Sequence, residues 1–286
     1  MIEILNKDKS ITLDSYVFEN GILITSFDEG EIPATFNKVK GVNQIGSSLN
    51  HSTLETRNMT LEAMILGEDR IQIEALKSSI DSVLNPMDDL IIKYTDDYKK
   101  KEIKGRVVST PKYSSNYNTN NDNALALKID IECFNPLWAD QVETIMNVET
   151  WIDGFEFEFE LNSLGIEFAR KGPNEVEIIN GNIEAPLEIY FKGPALNPQI
   201  TLNDNSFIKV NKTLQEGETL YIRTNYGDKE VKIIRNGLIE QAYHYLDIDS
   251  RFFNLNSGKN KISYRTDGDF LPQSVVIKFK KHYLSL

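Results

Sequence analysis

Histidine is the side chain best placed to move protons near neutral pH, and this chain carries three: His51, His244 and His282. They lie far apart in sequence, and none has a second ligand at metal-binding spacing. The one cysteine, Cys133, excludes an intrachain disulfide and any multi-cysteine zinc site. It falls in an alternating run, residues 125–134, with no neighbouring base to activate it. That setting predicts a buried, inert thiol. Carboxylates are plentiful, so Glu156, Glu158 and Glu160 invite a glycosidase reading. At a period of two they instead predict one wet face of a strand. Asp247 and Asp249 beside Ser250 have calcium-binding atoms but no glycine-centred loop, and Asp267-Gly268-Asp269 reads as a turn. Lys99, Lys100 and Lys101 read as a solvated hairpin tip. Trp138 and Trp151 could stack on sugars; Trp138, close after Pro136, suits equally the plugging of a core edge. There is no glycine-rich phosphate loop before a helix, no nucleophile elbow and no zinc-protease helix. No residue is therefore assigned as catalytic, cofactor-binding or metal-ligating. The expectation is a binding or structural module with no cofactor, not an enzyme.

The elements that would position these residues are mostly strands. Short β-prone runs are expected at residues 10–13, 16–19 and 23–26, with Asn20-Gly21 as a hairpin turn. Residues 54–66 alternate imperfectly and predict a strand ended by Gly67. Residues 68–84 predict the one helix: Ile73, Leu76, Ile80, Val83 and Leu84 form a stripe, acidic residues occupy the first turn, and Asn85-Pro86 stops it. Strands follow at 90–94, 103–109 and 125–134, with 114–123 a flexible loop or hairpin tip. Pro136 ends the last strand. Beyond residue 141 the pattern is almost purely β. Residues 155–161 alternate phenylalanine or leucine with glutamate, and eight further runs are separated by Asn-, Gly- and Asp-rich turns. Short, regular strands predict a sandwich or barrel.

The chain has 286 residues, enough for one large or two ordinary domains with real cores. Its formal net charge is −12, spread over both halves, which argues against a protein that grips nucleic acid through its phosphates. The N-terminus lacks an apolar signal core, and no stretch approaches the length of a membrane span. The expectation is synthesis in the cytosol, with no membrane partner.

The order of these features resembles a known family. Thr56-Arg57-Asn58-Met59-Thr60-Leu61, followed by a helix ending Leu84-Asn85-Pro86, is similar to the N-terminal domain of phage distal tail proteins of the siphophage tail-component type. Ile131-Glu132-Cys133-Phe134-Asn135-Pro136-Leu137-Trp138 resembles that domain's closing motif, in which the family often has Asp-Pro-Phe-Trp. Three later stretches resemble the galectin-like C-terminal domain of the same family in phages of Gram-positive hosts. They are Ile179-Asn180-Gly181-Asn182-Ile183-Glu184-Ala185-Pro186, Leu196-Asn197-Pro198-Gln199-Ile200, and Asp249-Ser250-Arg251-Phe252-Phe253-Asn254-Leu255.

The resemblance implies a mainly β chain in two domains. Residues 1–140 would be an N-terminal β-sandwich or barrel-like domain with one α-helix, which forms a ring. Residues 141–286 would be a galectin-like, jelly-roll antiparallel β-sandwich. It further implies a structural adaptor of the tail tip or baseplate: a hexameric homo-oligomer located in the virion tail. Its partners would be the tail-tube protein, the tail-tip hub or tail-associated lysin, and a receptor-binding protein. DNA would pass through the channel without specific binding, and an acidic lumen would repel it. The resemblance leaves a contractile phage or a phage-tail-like bacteriocin, whose baseplates use similar adaptors, as equal sources of such a chain. The alternative is a carbohydrate-binding β-sandwich module that recognises host-surface glycans.

Overall fold

Alternation of apolar and polar residues buries one face of a strand, and long stretches of this chain obey it. In the computed structural model, Ala124–Cys133 alternates between buried and half-buried at every position. Arg57–Leu66 likewise buries Arg57, Met59, Leu61, Ala63 and Ile65. The structure describes residues 1–15, 20–149, 151–153, 169–171, 174–268 and 274–286. The alternating run at 155–161, including Glu156, Glu158 and Glu160, lies outside them, as do the strand expected at 16–19 and the side chain of Trp151.

The chain divides into two units: Met1–Gln141 together with Tyr283–Leu286, and Val142–His282. The first is built on one sheet. Its strands run in the order Lys9–Leu13, Ile2–Asn6, Leu90–Thr95, Lys100–Val107, Ala124–Cys133, Arg57–Leu66 and Ile22–Asp28. The two ends of this order meet at a parallel bridge, Asp14 to Leu23, where the Ile24 N–H donates to the Asp14 carbonyl at 2.8 Å. The sheet is thus barrel-like.

The helix, Arg70–Val83, turns Ile73, Ile80 and Val83 into this core. It starts later than the sequence predicts. Asp69 is the N-cap, its carboxylate accepting from the Gln72 N–H at 2.8 Å, so the expected acidic first turn is a capping residue outside the helix. Residues 114–123 are a hydrogen-bonded turn: the Asn120 side chain donates to the Ser114 carbonyl at 2.9 Å and accepts from Arg70 at 2.7 Å.

The second unit is an antiparallel β-sandwich. One sheet orders Thr144–Glu149, Ser274–Phe279, Leu187–Lys192, Glu218–Arg223, Glu230–Arg235 and Leu238–Gln241. The other orders Glu175–Ile179, Lys259–Arg265, Gln199–Leu202 and Ser206–Lys209. Ile189, Phe191, Leu220 and Ile277 from the first sheet share one core with Ile178, Ile200, Ile208 and Ile262 from the second. The mainly β expectation holds. The sequence reading ran its second domain through residue 286, whereas Tyr283–Leu286 pack with the first unit.

Candidate assembly surface

The first unit carries a hairpin that the sequence reading passed over. Ala34–Val39 pairs with Ser48–Leu54, and every residue of both strands is exposed. Phe36, Val39 and Leu49 on the strands, and Val42 and Ile45 at the tip, expose large apolar side chains, Ile45 completely. Between residues 32 and 54 there is no Asp or Glu, while Lys38, Lys40 and His51 are present, in a chain whose net charge is −12. The tip is closed by its own polar groups: Gln44 Oε1 accepts from the Gly41 N–H at 2.8 Å, and its amide donates to Ser48 at 3.0 Å. A two-stranded hairpin with no buried face is marginal in water. Among the described residues each of these two strands pairs only with the other, which leaves both outer edges open to a further strand. Such an arm is suited to pairing with a second protein surface, and its charge suits an acidic one.

The root of the arm is held rigidly. Gly30 has φ +70°, and a Cβ there would stand 1.8 Å from the Asn58 carbonyl oxygen, so only glycine fits. Arg57, where the second strand of the arm re-enters the body, is 1% exposed. Its guanidinium donates through Nε to the Pro136 carbonyl at 2.9 Å and through Nη1 to the Glu29 and Gly30 carbonyls at 3.0 Å each. It also donates to the Leu284 carbonyl and pairs with the Glu29 carboxylate at 3.4 Å. Burial pulls its pKa down and Glu29 opposes that. Glu29 Oε2 in turn accepts from Trp138 Nε1 at 2.9 Å and from the Leu286 N–H at 3.1 Å. Two motifs far apart in sequence, around Arg57 and around Pro136-Leu137-Trp138, therefore meet at one clasp beneath the arm. Trp138 is fully buried and plugs the core, so its ring is not available to a sugar.

The other residues with chemical potential are scattered. Cys133 is buried with Sγ 3.4 Å from Met59 Sδ, and burial pushes its thiol up to about 12. His51 lies on the arm, His244 in a short 3₁₀ turn, and His282 in the strand His282–Tyr283. Among the described residues no cluster of His, Cys, Asp and Glu could hold a metal ion. Asp247 caps its own turn, accepting from the Asp249 N–H at 3.0 Å and from the Asn211 amide at 3.2 Å, and these bonds hold its carboxyl below the usual range. Asp267 pairs with Lys209 at 2.8 Å. The lysine run is not wholly solvated: Lys101 pairs with Asp140 at 2.6 Å and lies 3.2 Å over the Tyr283 ring. Among the described residues no helix is long and apolar enough to cross a membrane.

Comparison with known proteins agrees with the resemblance read from sequence. Residues 180–283 match the family model for the siphovirus-type tail component, C-terminal domain. The fold resembles the crystal structure of the SPP1 Dit (gp 19.1) protein, titled a paradigm of the hub adsorption apparatus in phages that infect Gram-positive hosts. The TM-score is 0.62 at 13% identity, over 99% of each chain. It also resembles a chain of the phage P2 baseplate in its activated conformation with calcium, with a TM-score of 0.51 at 12% identity over 100% of this chain and 99% of that one. The same baseplate with strontium gives a TM-score of 0.52 at 12% identity, with the same coverage. No curated protein matches the sequence.

Proposed function

We propose that this protein is a structural adaptor of a phage tail tip or baseplate. Copies of it form a hexameric ring that joins the tail tube to the tail-tip hub and carries receptor-binding components, and DNA traverses the ring's channel. The observation that carries this reading is the arm: an apolar, acid-free hairpin with unpaired edges on an acidic body. A second copy of the chain supplies the complementary acidic surface, and closed symmetry is the usual solution for self-association. The full-length likeness to baseplate and hub proteins supports the same class. The formal net charge of −12 suits a channel that DNA slides past without sticking.

Native mass spectrometry and negative-stain imaging test it. The chain, alone or with a tail-tube or hub protein, is expected to give six-fold rings. A variant with Phe36→Asp and Val39→Asp is expected to stay folded and lose them. Rings that persist in that variant would remove the arm from the interface. A chain that stays monomeric in the presence of both partner proteins would overturn the adaptor reading.

A further inference from the structure

A recess of about 260 Å³ lies in the second unit, where three connections converge. They are the turn at 203–205, the loop at 224–229 and the segment at 252–256. The backbone holds each wall. The Asn203 N–H donates to the Lys261 carbonyl at 2.8 Å, the Asp228 N–H to Asn225 at 3.1 Å, and the Asn256 N–H to the Asn260 side chain at 2.8 Å. A ligand here meets a preformed surface and need not order one.

The hydrogen-bond network sets which polar atoms face the recess. Thr224 is 1% exposed, and its oxygen accepts from the Leu187 N–H at 3.0 Å. Its hydroxyl has two acceptors in reach, Asn254 Oδ1 at 3.1 Å and the Leu187 carbonyl at 3.4 Å. Asn254 lines the recess, and its Nδ2 is a donor beyond the Oδ1 bond to Thr224. Asn203 repeats the arrangement: its Oδ1 accepts from the Lys261 N–H at 2.7 Å, again leaving a donor. Tyr226 is 73% exposed at the rim. The Lys229 ammonium lies 5.9 Å from its ring and 5.2 Å from that of Phe252. Glu184 also lines the recess and offsets the charge of Lys229.

Oriented amide donors beside an exposed aromatic face fit one ligand class well. A pyranose ring presents oxygens to amide donors along its edge and C–H groups to an aromatic face. A phosphate would need an excess of cations that Glu184 removes, and a purely apolar ligand would strand the amides. We infer that this recess binds a pyranose residue of a glycan, with Asn254 and Asn203 as donors and Tyr226 as the stacking platform. The inference stands apart from the ring: the recess lies within Val142–His282 and the arm within the other unit.

The test applies the full-length chain to an array of neutral, N-acetylated and acidic pyranose oligosaccharides. The best-retained probe is then titrated by calorimetry. Retention of a pyranose probe is expected, with affinity at least tenfold weaker in Tyr226→Ala and in Asn254→Asp, which keeps the acceptor and removes the donor. Tyr226 is a surface residue, so Tyr226→Ala reads binding even if Asn254→Asp disturbs the Thr224 network. Retention of no probe would overturn the proposal, as would equal affinity in Tyr226→Ala. Ring assembly measured on the same variants is expected to be unchanged, which separates this site from the adaptor role.

Discussion

Arg57 shows what one residue can do when the chain closes around it. A guanidinium carries five N–H donors, and here carbonyls of Pro136, Glu29, Gly30 and Leu284 take four of them, with the Glu29 carboxylate as counter-charge. Removing the guanidinium strips these carbonyls of their buried donor and Glu29 of its counter-charge. Arg57→Met is therefore expected to destabilise the first unit by about 3 kcal/mol in urea denaturation, and Arg57→Lys to recover little of that, because an ammonium cannot fork. Cys133 gives a pH signature. Its thiol is held neutral in the fold, with a pKa near 12 against an ordinary value of 9.0. The contribution is complete below pH 9 and is lost as pH rises from 9 toward 12, because the unfolded thiol ionises first. Stability of the first unit is expected to fall over that window, and Cys133→Ala is expected to flatten the fall. The same burial predicts that iodoacetamide at pH 8 labels Cys133 only after denaturation.

At the scale of elements, helix and arm obey opposite rules. The helix was legible because its apolar stripe recurs at helical spacing and Asn85-Pro86 stops it, whereas the capping role of Asp69 was read as an acidic first turn. Asp69→Ala is expected to cost about 1 kcal/mol, measured by thermal unfolding, through loss of the bond to the Gln72 N–H. The arm was not legible. Its strands have no buried face, so no one-sided alternation marks them, and Leu54 reads as the start of the next strand when it ends the arm. Gly30 is the sequence signal that was available, and its meaning depends on the Asn58 carbonyl beside it. Gly30→Ala is expected to displace the root and lower ring formation more than it lowers the melting temperature, read by native mass spectrometry beside calorimetry.

For the whole molecule, the division into two units has a consequence for truncation. The second unit's sandwich core lies within Val142–His282, whereas the first unit borrows Tyr283–Leu286 from the far end of the chain. A chain lacking residues 283–286 loses the Leu284 carbonyl beneath Arg57 and the Leu286 N–H on Glu29. Its first melting transition is expected to drop while the transition of the sandwich stays in place, as differential scanning calorimetry would resolve.

The sequence by itself determined most strands and the helix, because alternation and helical spacing are local: burial of one face is written every two residues or every three to four. Ala124–Cys133 and Gln199–Leu202 were readable for that reason, as was the inert setting of Cys133. Composition alone also pointed away from a phosphate-gripping protein. The tertiary structure decided what depends on partners distant in the chain. It brought Glu29, Arg57, Pro136, Trp138 and Leu284 into one clasp and drew the terminal residues onto the first unit. It also brought Asn254 against Thr224, 30 residues away in the chain. Such contacts leave no periodicity, since each residue is locally ordinary and its role is set by which groups the fold places within hydrogen-bond reach.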